Sequence, residues 1–354
     1  MSPTALHADH TDNVWIRYRD NFPRHLVGVG RFLQTEAMHA LSQDCGYHGL
    51  RLNFEAYITL IGHDGARLTE IAEIMGISKQ ACNQTANQIE QAGYLTRLPD
   101  PRDGRAKLLA LTPRGHKLRS DGVRIVAGLQ QQFAELVSGK AIDDAIATLA
   151  QLSASLNLAV LQKVEHQPGD RDAWLGGLLP RLSDYVMHRL MELTSARGHP
   201  GLKLSFGDVL TLIGPLGGRM QRMAIIQGVS KQAISATSNE LESLGYIRRD
   251  PDPADARQVL LQFTDRGRQL IADSVVSVDQ LDAEFSALAG RRALTRLQST
   301  LSALYDALDL ESDVFEPSRP VAIGALARQL TRQLGRRDAQ ALARLLLAPT
   351  DQNI

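Results

Sequence analysis

The chain has 354 residues, of which 44% are hydrophobic and 5% aromatic. This composition excludes wholesale disorder and favours two mainly helical domains of about 100–200 residues each. Its 39 basic residues balance 39 acidic ones, which excludes a strongly basic nucleic-acid-binding protein and leaves one that is basic only locally. Two cysteines exclude a disulfide scaffold, and no signal peptide or membrane-spanning stretch is visible, so we expect a cytoplasmic protein without a membrane partner.

Helical spacing of apolar residues dominates the first part of the chain. It predicts a long helix over Phe22–Leu41 and a short one over Leu52–Ile61. Thr69 is then predicted to cap a helix over Glu70–Met75. The glycine that follows, Gly76, ends this helix.

A second helix follows directly after the glycine. Ser78 is predicted to cap Lys79–Ala92, with its hydroxyl accepting a hydrogen bond from the amide of Gln80. Cys82, on the inner face of this helix, is expected to be a buried structural thiol. Two helices joined by a glycine turn are typical of a helix-turn-helix.

The pattern next changes from helical to extended. Tyr94–Leu98 and Ala106–Leu111 are strand-like and predict a hairpin with a turn-rich, basic tip over Pro99–Arg105. Such a hairpin after a helix-turn-helix is typical of the winged-helix type. Thr112 is predicted to cap the first of two further helices, over residues 113–138 and 141–164.

The whole plan recurs 152 positions later. From Leu41 to Leu118, about 35 of the 78 residues are identical to their counterparts, with no gap. Because the period is as long as a domain, it indicates a duplicated fold and not a solenoid. We therefore predict a first domain over residues 11–165, a linker over 166–171, a second domain over 172–310 and a C-terminal helical extension over 311–354. Whether this extension packs on the domains, joins two chains or contacts DNA stays open.

Several segments together resemble the MarR family of bacterial transcriptional regulators. In the first copy these are Gly76–Gln80, Gly93–Leu95 and Asp100–Gly115, and in the second Asp252–Arg257 and Thr264–Gly267. The resemblance implies a mainly α fold with small β-hairpins, built as tandem winged helix-turn-helix domains. Family members act as homodimers, so the chain is expected to form an intramolecular pseudo-dimer whose linker gives a millimolar effective concentration. Further dimerisation of the chain stays open.

Each predicted recognition helix has an outward polar face. Asn and Gln can pair with both edge atoms of adenine in the major groove, while Lys and the amides at a helix start suit phosphate. The candidate DNA-binding residues, each helix with its capping serine, are Ser78, Lys79, Gln80, Asn83 and Gln84 in the first copy and Ser230, Lys231, Gln232 and Ser235 in the second.

The hairpins supply the other candidate DNA contacts. The resemblance implies that Arg105, held by Asp103, enters the minor groove, and that Arg257 with Asp255 does the same in the second copy. Arg102 and Lys107 add positive charge to the first hairpin and are replaced by alanine and valine in the second. The second copy is therefore expected to bind more weakly or to read a different half-site.

Family members often bind small aromatic effectors between the dimer helices and the winged domain. The resemblance suggests seven residues for such a site, and a role in the hydrophobic core would explain them equally well. They are Trp15, Phe22, His25, Phe54, Tyr57, Trp174 and Phe206.

The sequence as a whole predicts a transcriptional regulator that binds double-stranded DNA, and repression is the commoner role in this family. The alternative is a non-DNA-binding interaction or metabolite-sensing protein built on duplicated winged-helix domains. No catalytic, metal-binding or phosphate-loop motif is visible, so we expect neither an enzyme nor a cofactor.

Overall fold

The computed structural model describes residues 13–100, 103–158, 174–214, 217–227, 229–252 and 255–311, without the side chains of 103–105, 226–227 and 255–257. The described chain is mainly helical and carries two small antiparallel sheets. The predicted linker and the predicted C-terminal extension beyond Glu311 lie outside the described residues.

The elements of the first half follow in this order: α1 (residues 13–19), α2 (Phe22–His39), a π-helical turn (Ala40–Asp44), α3 (Phe54–Ile61), β1 (Ala66–Arg67), α4 (Leu68–Met75), α5 (Lys79–Gln91), β2 (Leu95–Asp100), β3 (Asp103–Leu111), α6 (Pro113–Val137) and α7 (Gly139–Ser155). Those of the second half are α8 (Trp174–Ser195), α9 (Phe206–Ile213), β4 (Gly218–Arg219), α10 (Met220–Gln227), α11 (Lys231–Ser243), β5 (Ile247–Asp252), β6 (Asp255–Phe263), α12 (Asp265–Ala289) and α13 (Arg291–Ala307).

The predicted cap of α6 is confirmed. The Thr112 hydroxyl accepts a hydrogen bond from the Gly115 amide at 3.0 Å, and Pro113 occupies the first helical position, where its missing N–H costs nothing. Thr264 accepts from the Gly267 amide at 3.1 Å and begins α12 in the same way.

The predicted cap of α4 is wrong. The helix begins at Leu68 and its N-cap is Arg67, not Thr69. Arg67 is extended because it pairs with Leu108 of β3, and the chain turns into the helix directly after this strand residue. The Arg67 amide donates to Oε2 of Glu70 at 3.1 Å, which satisfies one of the unpaired donors near the helix start.

Three other bounds differ from the prediction. The long first helix is α-helical only to His39 and then widens into the π-helical turn. The helix predicted over 141–164 ends at Ser155, where Asn157 has a φ of +52°; residues 159–164 lie outside the described chain. The hairpin strands are longer than predicted, because β2 runs to Asp100 and β3 begins at Asp103.

The two sheets have the same topology. Their strand orders are β1-β3-β2 and β4-β6-β5, and all pairs are antiparallel. Ala66 pairs with Leu109 in the first sheet, and Gly218 pairs with Leu261 in the second; both positions differ by 152. Each hairpin also has a register shift after its proline, at Pro99 and at Pro251.

The described residues divide into two compact units. Unit I comprises residues 32–135 and 174–176, and its core is built around Phe54, Tyr57, Ile89 and Tyr94. Unit II comprises residues 13–31, 136–158 and 177–311, and its helix-turn-helix core is built around Phe206, Leu241 and Tyr246.

Unit II combines segments from both sequence repeats. Trp15 of α1 is buried in the core with Phe263, with ring centroids 5.9 Å apart. Helix α7, which also comes from the first repeat, packs against α12 and α13 of the second. Gly28 permits a close approach between α2 and α13, because a Cβ at this position would lie 2.6 Å from Cε2 of Tyr305.

Candidate nucleic-acid interface

Each candidate recognition helix starts at a serine cap. The Ser78 hydroxyl accepts a hydrogen bond from the Ala81 amide at 3.1 Å, and Ser230 accepts from Ala233 at 3.2 Å. The cap at Ser78 is confirmed, but its partner is Ala81 and not the predicted Gln80, because the extended Ser78 backbone directs the hydroxyl at the third amide of the helix. The caps also fix the direction in which both helices leave the turn.

One face of each recognition helix lies in its unit's core. Cys82, Ala86 and Ile89 have no exposed surface, so the predicted inner face of α5 is confirmed. Burial raises the pKa of the Cys82 thiol, whose sulfur lies 3.5 Å from the Leu68 carbonyl oxygen. The Cys82 side chain is therefore a neutral packing group. In α11 the matching face is Ile234, Ser238 and Leu241.

The opposite face of α5 is polar. Lys79, Gln80 and Gln84 are exposed, Asn83 is half-buried, and Ser78 is exposed at the helix start. This arrangement follows from the 3.6-residue period, because the buried stripe fixes which positions point outward.

The outward face of α11 occupies the same helical positions with shorter side chains. Lys231, Gln232 and the capping Ser230 are exposed, and Ser235 is half-buried. The structure therefore brings the candidate residues of each helix together on one face, within units I and II respectively.

An arginine bridge ties each recognition helix to its hairpin, which the sequence reasoning missed. In unit I, Nη2 of Arg97 donates to Oδ1 of Asn87 at 2.6 Å and to Oδ1 of Asn83 at 3.1 Å. Its Nε lies 3.3 Å from Oε2 of Glu90. The bridge therefore holds the oxygen of one candidate base-reading side chain.

Unit II has the corresponding bridge. Arg249 donates to Oδ1 of Asn239 at 2.6 Å, and its Nη1 lies 2.9 Å from Oε2 of Glu242. The recurrence of arginine, asparagine and glutamate in both repeats was visible in the sequence. It could have been found as an ion-pair pattern between each helix and the strand after it.

Each hairpin is also fastened beside its turn by a buried carboxylate. Nε of Arg67 donates to Oδ2 of Asp100 at 2.5 Å, and the Asp100 side chain is 3% exposed. Arg219 donates in the same way to Asp252. Sequence reasoning missed both pairs, because their partners are 33 positions apart and meet only after the strands have paired.

The structure describes the candidate hairpin contacts only in part. Lys107 is exposed on β3 and pairs with Pro99 of β2. Asp103 and Arg105 lie at the start of β3, and Asp255 and Arg257 at the start of β6, but their side chains are outside the described structure, as is Arg102.

The candidate effector residues are divided between the two units. Phe54 and Tyr57 lie in the core of unit I, where burial raises the pKa of Tyr57 to about 12. Trp15 and Phe206 lie in the core of unit II. Trp174 begins α8 and is half-buried.

Phe22 and His25 line a cavity of about 400 Å³ in unit II, together with Asp20, Asp279 and Asp282. The Nε2 of His25 lies 3.1 Å from Asp20, and burial lowers the His25 pKa although Asp20 opposes this effect. Burial and the nearby Asp279 raise the pKa of Asp282 to about 6. With Arg17 on its wall, the cavity is polar and carries more acidic than basic groups.

The described part of the chain holds neither a metal centre nor a membrane-spanning helix. No group of three or more His, Cys, Asp or Glu side chains in that part of the protein is placed to hold a metal ion. Among the helices of the described ranges, none is both long and apolar enough to cross a bilayer.

The helix-turn-helix of unit I matches a known protein family. Residues 58–106 match the model of the MarR family. This MarR family domain covers α4, α5 and β2 and reaches into β3.

A curated relative and two solved structures are similar to parts of the chain. A Thauera aromatica protein, assigned as transcriptional regulatory protein for the hcr operon, is 30% identical over 106 residues; the match covers 30% of this chain and 62% of that protein. A MarR family regulator from Rhodococcus is 22% identical with a TM-score of 0.31, covering 40% of this chain and 97% of its own. The repressor CouR, bound to a 23-mer DNA duplex, is 25% identical with a TM-score of 0.29; the match covers 37% of this chain and 94% of the CouR chain.

Proposed function

We propose that this chain is a transcriptional regulator that binds a specific sequence of double-stranded DNA through α5 and α11. The observation that carries the proposal is the outward face of α5, where lysine and amide side chains are exposed beside an N-terminal cap. The start of a helix favours phosphate through its free amides, and glutamine and asparagine side chains match the edge of adenine. The match of residues 58–106 to the MarR family supports the same function.

We further propose that the two repeats act as one pseudo-dimer, in the domain arrangement 11–165 and 172–310. Support comes from unit II, where α1 and α7 of the first repeat pack with helices of the second. These segments of the first repeat tie the two repeats together without a second chain. A regulator of this kind needs no concentration threshold for pairing, because the association is intramolecular.

Local charge supports contact with a polyanion in a chain of zero net charge. Residues 67–117 contain 8 basic and 5 acidic side chains, and residues 219–269 contain 8 and 6. Binding is therefore expected to be moderate and strongly dependent on salt.

Repression and effector control are also part of the proposal. The cavity beside Phe22 and His25 offers an effector site in unit II, and its three carboxylates favour a neutral or cationic ligand over an anion. A ligand that binds only the conformation unable to hold DNA would lower DNA occupancy.

The experiment is a shift assay of the full chain on the DNA upstream of its own gene. Lys79→Ala is expected to weaken binding to all sequences and to lower the salt slope by about one. Lys140→Ala is the matched control, because this lysine lies on α7 and its side chain is 85% exposed. Arg105→Ala and Arg257→Ala test the hairpins; unchanged binding in both would contradict their role.

A further inference from the structure

The recognition helices of the two units present matching frameworks. Both have a serine cap, a buried stripe and an arginine bridge at equivalent positions. Their exposed positions are therefore comparable one by one, and a difference in side chain there changes what the helix can read without changing how it is held.

The amide side chains differ at two such positions. Half-buried Asn83 of α5 corresponds to half-buried Ser235 of α11, and exposed Gln84 corresponds to exposed Ala236. An amide can make two hydrogen bonds to one adenine, a serine hydroxyl makes weaker and less selective contacts, and alanine offers only a methyl group. The outward face of α11 thus has fewer groups that distinguish one base pair from another.

The arginine bridges add to this difference. Arg97 donates a hydrogen bond to the side-chain oxygen of Asn83. The amide nitrogen of Asn83 therefore points away from the bridge, where it can donate. In unit II, Arg249 contacts Asn239 and Glu242, which lie later in the helix. A held side chain discriminates better than a mobile one, because less rotamer freedom is lost when it meets a base.

The first helices of the two motifs differ in charge. Helix α4 exposes Glu70 and Glu73, whereas the matching residues of α10 are exposed Arg222 and Ile225, the latter 75% exposed. Contacts between basic side chains and phosphate give affinity without sequence information. Helix α10 therefore carries one basic side chain where α4 carries a carboxylate, and α11 has fewer amides for reading bases than α5.

From these differences we infer that the chain recognises an asymmetric duplex, in which α5 specifies the bases of one half-site and unit II holds the other half mainly through phosphate. The inference rests on the proposed function and names the class of DNA that the function requires. Homodimers place two identical helices on DNA and favour palindromes, whereas a single chain with unequal helices has no such constraint.

The test is selection of binding sites from a random duplex library by the full chain at physiological salt. The expected product has one half in which single base changes weaken binding by about tenfold. In the other half, the same changes weaken binding by less than about threefold. An inverted repeat with equally specified halves overturns the inference alone. If no sequence is enriched and no duplex is shifted by the protein, both the proposed function and this inference are overturned.

Paired exchanges assign the asymmetry to the residues. Ser235→Asn with Ala236→Gln is expected to create a second specified half-site, with base changes there now costing about tenfold. Asn83→Ser with Gln84→Ala is expected to remove the first. All four positions lie on the outward faces, so the melting temperature should match the wild type for Ser235→Asn with Ala236→Gln. It should fall by about 2–4 °C where Asn83 no longer accepts the hydrogen bond from Arg97. If the selected site stays asymmetric and unchanged in both paired variants, these four side chains do not cause the asymmetry.

Discussion

The carboxylate of Asp100 accepts a hydrogen bond from Nε of Arg67 at 2.5 Å, and only 3% of the Asp100 side chain is exposed. The pair joins the residue before α4 to the last residue of β2 and so fastens the hairpin, beside its turn, to the helix-turn-helix. Arg219 and Asp252 form the same contact in unit II.

Removing Arg67 should destabilise unit I. Arg67→Ala removes the ion-pair partner of a buried carboxylate, and we expect the free energy of unfolding to fall by about 1–3 kcal/mol. This loss is smaller than that for a fully buried pair, because the arginine is partly exposed. Urea unfolding followed by circular dichroism measures this loss.

Arg124→Ala provides the control, because this arginine makes an exposed ion pair with Asp121 and its loss should leave the free energy of unfolding close to that of the wild type. The double variant Arg67→Leu with Asp100→Leu should recover much of the loss, since no buried charge remains. Equal losses in Arg67→Ala and Arg124→Ala would show that the Asp100 pair contributes no more than a surface contact.

Trp15 is expected to be essential for the stability of unit II. Its side chain lies in the core of the second helix-turn-helix, so Trp15→Ala should lower the free energy of unfolding by about 3–5 kcal/mol. The neighbouring Ile16 is 61% exposed, and Ile16→Ala should change stability by less than about 0.5 kcal/mol. Similar melting temperatures for the two variants would place Trp15 outside the core.

The Asp282 carboxyl should make unit II less stable as pH rises from about 4 to about 6. Its folded pKa of about 6 lies above the ordinary value of 3.8, so the folded state holds the proton more tightly than the unfolded state in this window. Stability falls there with increasing pH and is level above it. Asp282→Asn should flatten the profile and raise stability at pH 7 by about 1–2 kcal/mol, a figure reduced for partial solvent screening.

Thermal unfolding between pH 4 and pH 8 measures the Asp282 effect. Asp143→Asn is the matched control, since Asp143 is exposed on α7 and its replacement should leave the pH profile unchanged. A steeper profile for Asp282→Asn, or equal stability at pH 7, would count against a destabilising buried carboxylate.

Arg97 is predicted to act on DNA recognition as a positioning residue, through Asn83. Arg97→Ala should reduce discrimination at the base pair read by Asn83 by about threefold to tenfold and leave the slope of affinity against salt unchanged. Fluorescence anisotropy with matched and mismatched duplexes measures both. A slope reduced by about one would indicate a direct phosphate contact by Arg97 instead. Arg249→Ala, whose asparagine partner lies later in its helix, is expected to have a smaller effect on discrimination.

Local signals in the sequence were sufficient for much of the fold. Ser78 and Thr112 are caps with a mechanism that acts within three residues, and the spacing of Cys82, Ala86 and Ile89 fixes the inner face of α5. The helix-turn-helix and the hairpin could therefore be placed before any tertiary contact was known.

Features that depend on distant pairing could not be placed in this way. The two-residue strand Ala66–Arg67 has no periodicity of its own, and its pairing with β3 moved the start of α4. The Arg67–Asp100 pair forms only once that strand is in register. The burial of Trp15 in the core of the second repeat joins residues more than 190 positions apart in sequence, and no local pattern reports such a contact.

One chain is proposed to supply both reading helices for a single duplex. Sedimentation of a saturated complex with a selected duplex measures the number of chains per DNA most directly. We expect one chain per duplex, with binding weakened by loss of polar side chains from either α5 or α11. Two chains per duplex at saturation, or binding that does not change when α11 loses its polar side chains, would rule out a single chain with two reading helices.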